Sequence, residues 1–230
     1  MARHPNASSN SDCHSRLASA LEVFPTLDRD VSGKTVVDYG CGRGLLSADL
    51  SSLATLVYAV DIRPEIYTAA RPNNVIVGGP NIVPDGVADI VLSINSFEHY
   101  AEPETVLKHW RFLLKPEGKV YLSFGPPWYH PYGAHMHFFT RIPWIHLWCP
   151  ERFVMVWRSR YRADGAKRYE DVEGGLNRMS VSRCDHLLAV AGFDVVNSRN
   201  VPIRNIHWPL CTSIGRELWT SRVDRILSLS

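Results

Sequence analysis

The sequence has no run of about 18 apolar residues, which is the length that a membrane-spanning helix needs. No apolar stretch follows the basic residue near its start either, so it shows no secretory signal. An excess of charge of one sign is also lacking, because the net charge is only +2 over 230 residues. We therefore expect a cytoplasmic protein with neither a nucleic-acid nor a membrane partner.

Cysteine is scarce, and no two cysteines form a C-x-x-C pair; they are Cys13, Cys41, Cys149, Cys184 and Cys211. An odd, scattered set argues against both a disulfide framework and a thiolate zinc site. Apolar residues make up 45% of the chain and aromatic residues 10%, which is enough for the core of one domain. We expect a single domain over residues 1–230, with a disordered tail over 1–12.

Two apolar patterns alternate along the chain. Near-continuous apolar runs predict strands at 34–39, 56–60, 74–78, 88–94, 119–124, 193–197 and 223–229. Apolar residues recur at helical spacing, which predicts helices, over residues 14–24, 45–53, 64–70, 103–114, 180–191 and 207–219. This alternation predicts an α/β fold, in which helices cover both faces of a mostly parallel sheet. Such a sheet binds ligands at the carboxyl ends of its strands.

The first predicted strand runs into a glycine cluster, DYGCGRG, over residues 38–44. These glycines would let the backbone turn sharply and approach a ligand closely. A dinucleotide-binding loop would place its third glycine at position 45, where this chain has leucine, so the spacing favours a ligand without pyrophosphate. Asp61 ends the second strand, where a carboxylate can accept two hydrogen bonds from a ribose diol.

Four segments, in this order, resemble the class I S-adenosylmethionine-dependent methyltransferases, and the type 11 group among them: VVDYGCGRG, VYAVDI, GVADIVLSINSFEH and HWRFLLKPEGKVYLS. The resemblance spans about residues 34–125. It implies the Rossmann-like fold of that class, with a seven-stranded sheet and a substrate-binding insertion after strand five. It also implies S-adenosyl-L-methionine as cofactor, with S-adenosyl-L-homocysteine as product.

The same resemblance implies which residues bind the cofactor: Asp38, Gly40, Cys41, Gly42, Gly44, Asp61, Ile62, Asn81 and Asn95. Asp89 and Ser93 would shape the methionine side of the pocket. Relatives often have an acidic residue after the third strand to bind the adenine amino group. This chain has Asn81 there, so the hydrogen bond would come from its amide oxygen or from the backbone.

Residues 126–169 depart from the regular pattern and hold 11 of the 24 aromatic residues. An aromatic insertion beside the strand ends is typical of a lid over an apolar or aromatic small molecule. Aromatic residues here can equally form a satellite core under a long loop. We expect substrate contacts at Trp128, Tyr129, His130 and Tyr132. The basic run from Arg158 to Arg168 contains and adjoins acidic residues, and it predicts a solvated mixed-charge face.

Histidines concentrate in this insertion, and His99 follows the fourth strand. His135 is the first candidate for a general base, because a glycine nearby allows close approach to a ligand, and His99 is the second. Some relatives bind a divalent metal through an E-x-x-E-H motif and a later histidine. In this chain Asn95 replaces the first acid, so we expect no metal. A Mg²⁺ or Mn²⁺ site at Asn95, Glu98, His99 and His135 is the alternative.

These features predict an enzyme that methylates an oxygen or nitrogen atom of a small aromatic or apolar metabolite, as in secondary metabolite biosynthesis. Oxygen is favoured because candidate bases lie near the lid. The alternative is a non-catalytic protein that binds S-adenosylmethionine or acts as a scaffold. A nicotinamide-dependent oxidoreductase is disfavoured by the glycine spacing and by the lack of an obvious Tyr-x-x-x-Lys. The chain would act as a monomer or homodimer, and a small protein acceptor stays open.

Overall fold

The computed structural model describes residues 15–172, 174–203 and 212–230. Seven strands form one sheet: β1 (Thr35–Tyr39), β2 (Leu56–Val60), β3 (Val75–Gly78), β4 (Ala88–Ile94), β5 (Leu114–Phe124), β6 (Phe193–Pro202) and β7 (Thr220–Leu229). Their order across the sheet is β3-β2-β1-β4-β5-β7-β6. Strand β7 is antiparallel to both of its neighbours, and the remaining neighbours pair in parallel. The predicted α/β class and mostly parallel sheet are confirmed.

Eight α-helices connect the strands: α1 (Arg16–Val23), α2 (Leu27–Val31), α3 (Leu45–Leu50), α4 (Pro103–Leu113), α5 (Ile145–Trp148), α6 (Glu151–Arg158), α7 (Val181–Val190) and α8 (Ser213–Trp219), all within the described part of the chain. Helices α1, α2 and α3 pack on one face of the sheet through residues such as Leu27 and Leu50. Helices α4 and α7 pack on the other face through residues such as Trp110 and Leu188. Both faces of the sheet are therefore covered, as the apolar runs predict.

The strand order reverses at β1, which pairs with β2 on one side and with β4 on the other. The carboxyl ends of these three strands lie together, at Tyr39, Val60 and Ile94. In an open parallel sheet, the loops that leave such a switch point diverge to opposite faces and open a crevice between them. The glycine cluster begins at this crevice.

Some sequence-based expectations differ from the structure. The helix expected over 64–70 is wrong, because only one 3-10 turn forms there (Pro64–Ile66) and the chain then folds back over the glycine cluster. Helix α2 was not expected, since five residues are too few for a clear helical period. The expected tail over 1–12, together with Cys13 and Cys211, lies outside the described residues, and so does the start of the helix expected over 207–219.

The insertion over 126–169 contains α5 and α6 and has an apolar core of its own. That core consists of Ala134, Met136, Ile145, Val154, Met155, Tyr169 and Leu176, with further residues such as Trp128 and Phe139 packed against it. The satellite core is therefore present, and it takes up four of the eleven aromatic residues of the insertion: Trp128, Phe139, Trp157 and Tyr169. Among the helices of the described ranges, none combines the length and apolarity that crossing a bilayer requires.

Candidate functional site

The loop between β1 and α3 is folded onto the end of β2. The backbone nitrogens of Gly40 and Cys41 donate to Val60 O at 2.8 and 3.0 Å. The next glycine, Gly42, has φ +52°, and its backbone nitrogen donates to Asp61 Oδ2 at 2.9 Å. A Cβ added at Gly42 would meet no atom within 4 Å. Gly42 therefore lies beside open space at the crevice, with its amide held by the carboxylate of the neighbouring strand.

The other two glycines of the loop are surrounded by the protein's own side chains. A Cβ at Gly44 would overlap the ring of Tyr67, and a Cβ at Gly40 would overlap the side chain of Ser96. We expected all three glycines to give a ligand access to the backbone. The structure corrects this, because Gly40 and Gly44 are required for internal packing and only Gly42 of the three has free space beside it.

Asp61 is half-buried and keeps capacity for further hydrogen bonds. Its Oδ2 accepts from Gly42 N, and its Oδ1 accepts from Arg63 N at 2.9 Å. A carboxylate has about four lone-pair positions, so about two remain for the hydroxyls of a ribose. The next side chain, Ile62, is 86% exposed, which is unusual for isoleucine and gives an apolar surface beside the carboxylate. This donor and acceptor set fits a nucleoside.

Asp38 is buried and serves to join β1 to α3. Its Oδ2 accepts a hydrogen bond of 2.5 Å from Ser47 Oγ on α3. Burial raises the pKa of Asp38 to about 6, and the nearby charge of Asp61 contributes in the same direction. Burial also raises the pKa of the half-buried Cys41 thiol, which keeps it protonated and unreactive at neutral pH.

Two predicted cofactor residues flank the crevice from other strands. Asn81 is exposed on a 3-10 turn, Pro80–Ile82, directly after β3. Asn95 is exposed directly after β4, has φ +54°, and donates from its backbone to Ser123 O at 2.8 Å. A left-handed conformation is uncommon outside glycine, and such residues are often found at functional sites.

Asp89 does not belong to this site. It lies at the start of β4, where it accepts from Thr35 N at 2.9 Å and pairs with Lys115 at 2.8 Å. Five strand residues lie between Asp89 and Asn95, so the two are about 20 Å apart along the strand. The expectation that Asp89 shapes the methionine side is therefore wrong. Ser93 is nearer the crevice, but it is buried and its Oγ lies 3.0 Å from the hydroxyl oxygen of Tyr100.

A cavity of about 750 Å³ lies at the amino ends of the strands, away from the glycine loop. Its lining includes both members of the Asp89–Lys115 pair and Tyr121, whose hydroxyl donates to Asp30 at 2.7 Å. These polar groups satisfy one another. We therefore place the candidate site at the carboxyl ends, where polar groups are left free.

The two candidate bases, His99 and His135, are brought together, with ring centroids 5.6 Å apart. His99 Nδ1 lies 2.6 Å from Gly175 O, which leaves its Nε2 free to accept a proton. His135 has φ +56°, and its buried Nε2 has no partner among the described residues. Burial, with a contribution from nearby His99, lowers the pKa of His135 to about 4, so its imidazole is neutral at pH 7.

Glu98 is a buried carboxyl group next to these histidines. Its Oε1 accepts from Gly125 N at 3.3 Å, and its Oε2 has no partner within the described residues. Burial raises the pKa of Glu98. Sequence reasoning assigned it only to the alternative metal site. Over residues 15–172, 174–203 and 212–230, no group of three or more His, Cys, Asp or Glu side chains could hold a metal ion.

The predicted substrate residues are mostly engaged inside the insertion. The Trp128 ring lies 4.7 Å from His146 and 5.1 Å from Tyr169, measured between centroids. His130 is buried, and its Nδ1 accepts a hydrogen bond from Tyr132 N. Burial lowers the pKa of His130 to about 4. Tyr129 is 40% exposed and keeps a free ring surface.

Sequence reasoning missed Arg178, which ties the insertion to the segment before α7. It pairs with Glu151 at 3.1 Å and with Glu170 at 2.9 Å, and its guanidinium lies over the rings of Trp128 and Tyr169. An isolated arginine carries no sequence signal for such a role, because its partners are distant in the chain.

Residues 37–122 match the family model described as a methyltransferase domain. A 105-residue stretch is 33% identical to the ubiquinone biosynthesis O-methyltransferase of Xanthomonas euvesicatoria, and it covers 41% of this chain and 44% of that protein. The chain thus spans less than half of the length of the curated relatives it matches.

Solved structures show the same fold. An S-adenosylmethionine-dependent methyltransferase from Mesorhizobium loti aligns with a TM-score of 0.56 at 14% identity, over 89% of this chain and 96% of that one. The magnesium protoporphyrin IX methyltransferase of Synechocystis, solved with bound S-adenosylhomocysteine, aligns with a TM-score of 0.50 at 16% identity, over 94% of this chain and 84% of that one. At these identities the likeness establishes the fold alone.

The packing of Tyr67 on the glycine loop predicts that Gly44→Ala is far more destabilising than the same change at a free glycine. Gly33→Ala is the matched control, because Gly33 has φ +68° and open space around its Cβ position. We expect Gly33→Ala and Gly42→Ala to cost about 1–2 kcal/mol of unfolding free energy each, from backbone strain. Gly44→Ala should cost about 3 kcal/mol or more, because overlap with the ring is added.

Urea unfolding of each variant measures these costs. In a Tyr67→Ala background, Gly44→Ala should lower the unfolding free energy by no more than Gly33→Ala does in the wild type, because the overlapping ring is gone. Equal costs at Gly33 and Gly44 in the wild-type background would show that the ring does not restrict the loop.

The burial of Asp38 predicts a pH-dependent gain in stability for Asp38→Asn. The pKa of Asp38 is about 6 in the folded chain, against about 3.9 for an unfolded aspartate. Its contribution to stability is therefore present below pH 4 and is lost as the pH rises through 6. Relative to the wild type, the variant should gain on the order of 2–3 kcal/mol of unfolding free energy between pH 4 and pH 8.

Urea unfolding at both pH values tests this expectation. Asp194→Asn changes an exposed aspartate and serves as the control, with no comparable gain expected. If Asp38→Asn shows the same pH dependence as the wild type, the carboxyl of Asp38 does not have a raised pKa in the folded chain.

Proposed function

We propose that this chain is a class I S-adenosylmethionine-dependent methyltransferase and that it methylates a hydroxyl oxygen of a small apolar or aromatic molecule. The observation that carries this proposal is the pairing of Gly42 with Asp61 at the switch point of the sheet. This pairing leaves open space beside the Gly42 backbone and free acceptor positions on the Asp61 carboxylate. The open space and the free acceptor positions together suit a nucleoside without pyrophosphate.

In this proposal, Asp61 accepts hydrogen bonds from the ribose hydroxyls, and exposed Ile62 covers one side of the adenine. Asn81 and Asn95 line the crevice from β3 and β4. Asp38 acts by positioning, because it holds α3 and the glycine loop in place through Ser47. The bound cofactor supplies an electrophilic methyl group on a sulfonium, so the protein's part is to align the acceptor and accept its proton.

Oxygen is favoured over nitrogen because two imidazoles lie close together, and one of them, His99, is five residues past the carboxyl end of β4. A hydroxyl acceptor must lose a proton as it is methylated, whereas a neutral amine needs only alignment. His99 and His135 both keep an Nε2 that no described residue occupies as a hydrogen-bond partner. The similar protein from Xanthomonas is named as an O-methyltransferase, which supports the same choice.

The insertion supports an apolar acceptor. Four of its eleven aromatic residues pack in the satellite core, and five others are at least 40% exposed, so the insertion offers aromatic surface as well as a core of its own. Tyr129 keeps an exposed ring, and it lies between strand β5 and His135 in the chain. We assign the acceptor contacts to Tyr129 and the neighbouring Tyr132, and a supporting role to Trp128 and His130.

The assigned ribose contact predicts that Asp61→Ala weakens binding of S-adenosylhomocysteine by about 10- to 150-fold, the cost of about 1.5–3 kcal/mol for losing charge-assisted hydrogen bonds. Asp61→Asn should lose less, because it keeps an acceptor oxygen. Isothermal titration measures both, and thermal unfolding checks that the loop survives the loss of its bond to Gly42.

Asp194→Ala removes an exposed carboxylate elsewhere and should leave the affinity unchanged. A folded Asp61→Ala variant that binds S-adenosylhomocysteine within about twofold of the wild type would contradict the assignment.

The proposed proton acceptors predict a loss of turnover without a loss of cofactor affinity. We expect His135→Ala or His99→Ala to lower transfer of a tritiated methyl group to a panel of phenols and alcohols by about 100-fold or more. Burial lowers the pKa of His135 to about 4, so if His135 is the base the wild-type rate should fall only as the pH drops through about 4.

The control is His137→Ala, which removes an exposed histidine of the same insertion. If both His99→Ala and His135→Ala keep the wild-type rate, neither histidine accepts the proton. If a parallel panel of amines accepts the methyl group and the phenols and alcohols do not, the acceptor atom is a nitrogen.

A further inference from the structure

The insertion concentrates the positive charge of the chain. Residues 126–169 contain seven Arg and Lys residues but only two Asp and Glu residues, whereas the whole chain has a net charge of only +2. The rest of the chain is therefore net negative. A value averaged over the chain conceals one strongly basic segment, and the expectation of no membrane partner was based on that average.

Both acidic side chains of the insertion are already paired. Glu151 pairs with Arg178, and Asp164 pairs with Arg158 at 2.5 Å. Of the other five arginines of the insertion, four have no carboxylate within 4.0 Å among the described residues: Arg141, Arg152, Arg160 and Arg162. A mixed-charge face was expected over 158–168. Among the described residues, the positive charges of that segment are paired with a carboxylate at Arg158 and at Arg168, which lies 3.9 Å from Asp171.

Helix α6 buries one side in the satellite core and exposes an apolar strip on the other. Val154 and Met155 are buried, whereas Phe153 is 55% and Val156 63% exposed. The preceding helix α5, which contacts α6, exposes two more apolar side chains. We define the outer face of α5 and α6 as Leu147, Trp148, Arg152, Phe153, Val156 and Arg160.

We propose that the outer face of α5 and α6 docks on the surface of an anionic lipid bilayer. Its apolar side chains would enter the boundary between headgroups and acyl chains, and its arginines would bind lipid phosphates. Long arginine side chains suit this position, because their stems lie along apolar surface while the guanidinium stays in the polar layer. Helix α6 would lie parallel to the membrane and would not cross it.

The positive charge of the outer face of α5 and α6 favours an anionic bilayer over a second copy of this chain as its partner. A symmetric contact between two copies would place the same arginines opposite one another, with no acidic residue on the face to separate them. An anionic bilayer offers the complementary charge together with an apolar interior. The inference goes beyond the proposed methyl transfer and does not depend on it, since docking needs neither cofactor nor acceptor.

Co-sedimentation with vesicles tests the proposal. We expect the full chain to bind vesicles of phosphatidylcholine and phosphatidylglycerol at low salt, to bind phosphatidylcholine alone much more weakly, and to dissociate as salt rises. Reversing two charges with Arg152→Glu and Arg160→Glu should weaken binding by about tenfold or more. Trp148→Ser with Phe153→Ser should weaken it by a similar factor, through lost apolar insertion.

Matched controls use exposed residues outside the insertion. Lys108→Glu with Lys119→Glu reverses two charges elsewhere, and Phe112→Ser with Val190→Ser removes an aromatic and an aliphatic side chain that are 66% and 70% exposed. Both controls should keep wild-type vesicle binding, and S-adenosylhomocysteine affinity should be unchanged in all four variants.

Three results would overturn the proposal. The first is no binding to anionic vesicles at low salt. The second is an equal loss of binding in the control variants, which would indicate non-specific charge attraction. The third is the absence of vesicle binding together with a dimer in light scattering that the outer-face variants convert to a monomer. That result would show that the outer face binds a second copy of the chain.

Discussion

The hydrogen bond from Gly42 N to the Asp61 carboxylate is the constraint on which the candidate site depends. It joins the loop after β1 to the end of β2, so that the backbone and the carboxylate face the same crevice. Tyr67 closes over Gly44 on one side, and Ser96 packs on Gly40 from the end of β4. Three strands thereby fix one five-residue loop, and of its three glycines Gly42 alone would leave an added Cβ free of contact with the described residues. A ligand therefore meets a preformed surface with its polar groups already oriented.

Much of this arrangement could be predicted from sequence because its signals are local. Each apolar run predicts a strand, and a glycine cluster after the first run with an acid after the second places both groups at the carboxyl edge of a parallel sheet. The strand at Ala88–Ile94 was predicted with its bounds. The error at Asp89 arose within that correct strand, because Asp89 is its second residue and therefore lies at the amino end, whereas ligands bind at the carboxyl ends of parallel strands.

The contacts that sequence could not predict connect residues far apart in the chain. Tyr67 packs on Gly44, Arg178 pairs with Glu151, and His99 meets His135 only after the insertion has folded back. None of these residues has a local pattern that names its partner. The aromatic content of 126–169 predicted an apolar surface, but it could not divide the rings between a satellite core and a lid. That division depends on which side of α6 faces inward, and short helices have too few turns to show it.

The two halves of the proposed activity follow different physical rules. In the proposal, the cofactor side lies within residues 37–122, the stretch that matches a family model, and it depends on backbone geometry and one carboxylate. The proposed acceptor side is the insertion, which has exposed apolar side chains and four arginines with no carboxylate partner among the described residues. An acceptor that is apolar enough to prefer an aromatic wall over water also prefers a bilayer over water. A basic, apolar outer face on the same insertion would bring the enzyme to the phase in which such an acceptor is concentrated, so one property of the proposed substrate would account for both surfaces of the insertion.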